Sequence, residues 1–106
     1  MTTFDKREES FEKKFAHDEE LRFKARARRD KLLGLWAAEK LGLAGPAAEQ
    51  YAKEFVSAEI DTPGDEGLFL KIRKDFDAKK IGQSDHQIRR MMDELIAVAT
   101  AQIKSE

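Results

Sequence analysis

From Ser84 onward the large apolar residues Ile88, Met91, Met92, Leu95, Ile96 and Ile103, with Ala99, recur at intervals of three and four. That spacing gathers side chains on one face of a helix. The face must be buried against another element, and the rest of the chain offers only more of the same kind. No segment alternates with period two over the length of a strand, and there is no internal repeat. The expected fold is therefore all-α: a small four-helix bundle.

The breaks between helices are written in Gly, Pro and capping residues. The first bundle helix is organised around Leu21 to Leu43, LRFKARARRDKLLGLWAAEKLGL, whose basic first half runs straight into an apolar second half. At about 100° per residue, Leu21, Ala25, Leu32 and Trp36 share one face, widened by Leu33 and Leu35. Gly42 is expected to end this helix, and Pro46 suits the first turn of the next. Ala48, Tyr51, Ala52, Phe55 and Val56 form the second stripe, which closes near Ile60. Thr62 is expected to cap a third helix with Pro63 at its first position, carrying Leu68, Phe69, Ile72 and Phe76. Gly82 is expected to stop that helix, and Ser84 with Gln87 forms a capping box for the fourth.

Before Leu21 the pattern changes. From Phe4 to Phe15 the large apolar side chains are Phe4, Phe11 and Phe15, spaced seven and four apart among Lys, Arg, Glu and Asp. On a helix they make one narrow aromatic stripe. His17, Asp18, Glu19 and Glu20 then interrupt the apolar rhythm, which places a hinge near His17. The chain divides into an amphipathic N-terminal arm, residues 1–19, and a bundle, residues 20–106. A helix from Phe4 to Leu41 would be about 57 Å long, well beyond the roughly 33 Å width of a compact domain of this size. The arm must project, fold back or stay disordered. Three Phe cannot offset the entropy of ordering the arm alone, so it is expected to be mobile until its stripe finds a groove, on the bundle or on another protein.

Composition closes several routes. Lys and Arg number 20 against 21 Asp and Glu, a net charge of −1, so nonspecific nucleic-acid binding is not expected. The chain lacks Cys, and neither the apolar run of a membrane span nor a signal-peptide core is found in it. A soluble intracellular protein is expected. His17, Asp18 and Glu19 stand together, but adjacent helical residues diverge by about 100° and His86 lies far along the chain, so no metal site and no catalytic residues are expected. The basic run Arg22, Lys24, Arg26, Arg28, Arg29 and Lys31 admits, in descending order, a solvated face or contact with an acidic protein patch, a nucleotide phosphate, and nucleic acid. No glycine-rich phosphate loop accompanies it.

Three segments in this order, MTTFDKREESFEKKFAHDEELRFKARARRDKLLGLWAAEKLGL, DFDAKK and SDHQIRRMMDELIAVA, resemble the zeta subunit of the F-type ATP synthase of alpha-proteobacteria. The resemblance implies a four-helix bundle that is not an enzyme and needs no cofactor. It implies an inhibitor of ATP hydrolysis whose segment from about Met1 to His17 enters a catalytic interface between the alpha and beta subunits, near the gamma shaft, at the inner face of the plasma membrane. Carried over by position, the contacts fall on Phe4, Arg7, Phe11, Lys14, Phe15 and His17. Ser10, Glu12 and Lys13 would temper the strength of inhibition. The alternative is a helical module that senses adenine nucleotide through Arg22, Arg26 or Arg29.

Overall fold

The computed structural model describes the backbone of residues 2–106 and the side chains of residues 18–106. It is all-α, with four helices: α1 Thr2–Lys40, α2 Gly45–Asp61, α3 Asp65–Ala78 and α4 Asp85–Lys104. α1 packs chiefly on α2 and α4, and α3 closes the far side against both. Side-chain contacts fix the directions. Asp65 at the start of α3 meets Arg29 of α1, and Phe76 near its end meets Trp36 with ring centroids 5.7 Å apart. The path is up, down, up, down, as short connections require.

α1 has 39 residues and α4 has 20, so at 1.5 Å per residue the first is about twice as long as any element beside it. The molecule accordingly measures 65 × 25 × 23 Å. The hinge expected near His17 does not divide α1 into two elements, since a single helix is assigned from Thr2 to Lys40. The separateness and mobility expected of the arm, residues 1–19, rest on side chains of which those of residues 1–17 lie outside the described residues.

The core is Leu33 and Ala37 of α1, Phe55 of α2, Leu68, Phe69, Ile72 and Phe76 of α3, and Ile88 and Met92 of α4. The stripes expected on the last three helices supply it. On α1 the buried line is different. It runs through Ala25, Arg29, Leu33 and Ala37 and widens to Asp30, Gly34 and Ala38, a face turned by about 120° from the expected one. Leu32, Leu35 and Trp36 are half-buried at its flank. Small residues occupy the centre because neighbours on both sides come close. A Cβ placed on Gly34 would sit 2.6 Å from Ala52 Cα and 3.2 Å from Phe55 Cδ1, so α2 approaches α1 at the one position without a side chain.

The helix ends repeat one device twice. Gly42, with φ +81°, donates to Glu39 O while Leu43 N donates to Ala38 O, the paired bonds of a Schellman turn. At the end of α3 Lys80 N bonds Asp77 O and Ile81 N bonds Phe76 O, and the left-handed residue is Lys80 at φ 57°. Gly82 does not stop α3, because the chain has already turned two residues earlier and tucked Ile81 against the core. Nor does Thr62 cap α3. Its N–H closes α2 on Ala58 O, and Gly64 takes the position before Asp65. The capping box of α4 forms as expected, with Gln87 N on Ser84 Oγ at 3.1 Å and Ser84 N on Gln87 Oε1 at 2.9 Å.

Candidate functional site

Arg26 and Arg29 face the same carboxylate. Arg29 Nη2 donates to Asp65 Oδ1 at 2.6 Å and its Nε to Asp30 Oδ1 at 2.8 Å. Arg26 Nη2 donates to the same Asp65 oxygen at 3.0 Å and its Nε to Glu59 Oε1 at 2.8 Å. Arg29 and Asp30 are almost fully buried, at 2% and 1% exposed. A buried guanidinium needs its charge and its donors answered within the protein, and three carboxylates of α1, α2 and α3 answer these two. The hydrogen bond from Arg29 holds the Asp65 carboxyl below the usual carboxylate range against the opposing effect of burial, and the charges of Arg29 and Arg26 add to it.

The rest of the basic run disperses around α1. Arg22 and Lys24 are exposed and lean on Glu19 and Glu20 of their own helix, at 3.7 and 3.1 Å. Arg28 reaches α4, donating to Gln102 at 3.2 Å and pairing with Glu106. Lys31 is exposed. Arg22, Arg26 and Arg29 therefore do not form one cradle, and two of the three have donors committed to carboxylates. Among the described residues no group of His, Asp and Glu could hold a metal ion, and no helix is long and apolar enough to cross a membrane. The side chains of Phe4, Arg7, Phe11, Lys14, Phe15 and His17 lie outside the described residues.

The surface features that the sequence did not single out flank α1 where it leaves the bundle. Between α1 and α2, Phe23, Ala27, Val56, Ile60 and Pro63 line an open groove of about 370 Å³. Phe23 and Ile60 are both 71% exposed, an unusual state for adjoining large apolar side chains. Between α1 and α4, Leu21, Ala25, Ile96 and Thr100 line a second groove, of about 270 Å³. Phe23 could have been noticed in the sequence, since it lies off the apolar face assigned to its helix.

The architecture is an all-α bundle around one helix that far outruns its partners. The model of the family ATPase inhibitor subunit zeta matches residues 1–102, and the chain belongs to that family. A protein known from its solution NMR structure is 41% identical over 80% of this chain and 96% of its own, with a TM-score of 0.71. No curated relative matches the chain. Membership supports an inhibitory role toward ATP synthase.

Proposed function

We propose that the chain blocks ATP hydrolysis by presenting the first four to five turns of α1 to a catalytic interface between the alpha and beta subunits of an F-type ATP synthase, close to gamma. The observation that carries this reading is the length of α1 (Thr2–Lys40) in a chain matched by the family model from residue 1. Phe4, Phe11 and Phe15 would fill apolar pockets, and Arg7, Lys14 and His17 would meet carboxylates or polar groups at the rim. The bundle then acts as a stop, because a helix rooted between α2 and α4 cannot be drawn through the interface by rotation of the shaft. In the bacterial cell this places the protein in the cytoplasm, at the inner face of the plasma membrane. Nothing in the reading asks the chain for turnover or for a cofactor.

The test is ATP hydrolysis by the cognate synthase with full-length protein added. Wild type should suppress it. Phe11→Ala and Phe15→Ala should each weaken affinity about thirtyfold, since a central aromatic anchor is worth ~2 kcal/mol or more. Arg7→Ala and Lys14→Ala should cost less, and less still in high salt. Undiminished inhibition by both Phe variants would refute the assignment of the arm.

A further inference from the structure

The two grooves beside α1 open at the same end of the bundle. Asp18 and Glu20 share a recess with Ile103, Lys104 and Glu106, so the end of α4 lies level with the point where α1 passes out of the bundle. Phe23 stands six residues after His17, about 9 Å along the same helix axis. A protein that grips the N-terminal turns of α1 and is followed along that helix meets Phe23 and Ile60 within two turns.

The chemistry of the α1–α2 groove restricts what it can take. Its charged neighbours are already matched to one another: Arg26 to Glu59 at 2.6 Å and to Asp65 at 3.0 Å, and Asp30 to Arg29 at 2.8 Å. What remains free is hydrocarbon from Phe23, Ala27, Val56, Ile60 and Pro63. A phosphate or an acidic peptide finds no uncommitted cation there, whereas an apolar side chain finds a bed with a neutral rim. Among the described residues, the other strongly exposed apolar ones, Leu70 and Val98, lie on α3 and α4 and line neither groove.

Resting on the arm reading above, we infer that the Phe23–Ile60 groove is a second footing on the same ATP synthase. It receives an apolar segment of the subunit that borders the arm's entry and fixes how far α1 inserts. The arm would carry inhibition, and the groove would lengthen the life of the complex.

The experiment measures binding of full-length protein to the cognate ATP synthase, together with the fraction of hydrolysis suppressed at saturation. It compares wild type, Phe11→Ala, and Phe23→Ser combined with Ile60→Ser. Both groove side chains are exposed, so unchanged helicity and melting of the double variant are checked first, and Phe23→Ala alone serves if they change. The expected result is a Kd raised at least tenfold, mainly through faster dissociation, with suppression at saturation unchanged. A Kd within twofold of wild type overturns the inference, and if Phe11→Ala then still loses inhibition, the arm reading survives without it. Failure of wild type itself to bind removes both. Self-association of the free protein that the double variant abolishes, or contacts between arm aromatics and Phe23 in its NMR spectrum, would assign the groove to another occupant and overturn the inference.

Discussion

Arg29 shows how far a single residue can depart from its sequence context. Within a basic run it reads as one more solvated or phosphate-seeking cation, yet it is buried and holds Asp30 and Asp65 at once. Removing it leaves the Asp30 carboxylate in the interior without its partner. Arg29→Ala should therefore cost about 3 to 5 kcal/mol, read as a lower urea midpoint, while Arg22→Ala, on an exposed side chain, should change stability by less than about 0.5 kcal/mol. Asp65 makes a prediction in pH. Its folded carboxyl is held low by Arg29 and Arg26, so its contribution is complete above the ordinary Asp value near 4 and is lost as pH falls through the lower folded value. Because the side chain is 42% exposed, solvent screens the effect and it should be modest. Stability should decline below about pH 4, and Asp65→Asn should flatten that decline in thermal melts taken from pH 6 to pH 2.

At the scale of helices, Gly34 sets the distance between α1 and α2. Helix propensity alone would favour Gly34→Ala by ~1 kcal/mol. The new methyl, however, would press on the Ala52 backbone at 2.6 Å, and overpacking of that kind costs about 1 to 3 kcal/mol. The substitution should lower the melting temperature, and a rise would mean that the helices can part freely. The same contact explains what the sequence concealed. The stripes of α2, α3 and α4 were legible because Phe55, Ile72, Phe76, Ile88 and Met92 announce their faces. α1 hides its centre in Gly34, Ala37 and Ala38, whose burial registers as closeness and not as hydrophobicity, so its face was assigned from Leu21, Ala25, Leu32 and Trp36, of which Ala25 alone is buried. Turn chemistry was legible where side chains carry it, as in Ser84 with Gln87. It was hidden where Lys80 takes a left-handed conformation that only its neighbours impose.

For the whole molecule, the core of the described residues runs from Ala25 to Ala99. A chain starting at Asp18 should stay helical and unfold cooperatively in urea, with a midpoint close to that of the full chain. A broad, sloping transition would mean that the N-terminal turns are structural. The aromatic arm beside the bundle is an expectation of the sequence, and its side chains lie outside the described residues. The apolar grooves at its base were not legible in the sequence, because they arise from the meeting of α1 with the ends of α2 and α4, residues far apart in the chain.

The single helix from Thr2 to Lys40 also bears on how a target could be engaged quickly. Starting a helix from coil fixes several residues for one hydrogen bond, an initiation factor of about 10⁻³, or ~4 kcal/mol. A segment attached to turns already clamped between α2 and α4 is spared that initiation, because it adds one hydrogen bond for each residue it fixes. If the proposed arm folds on its target, the bundle would be the template for it, and helix growth would run from Asp18 backward to Thr2.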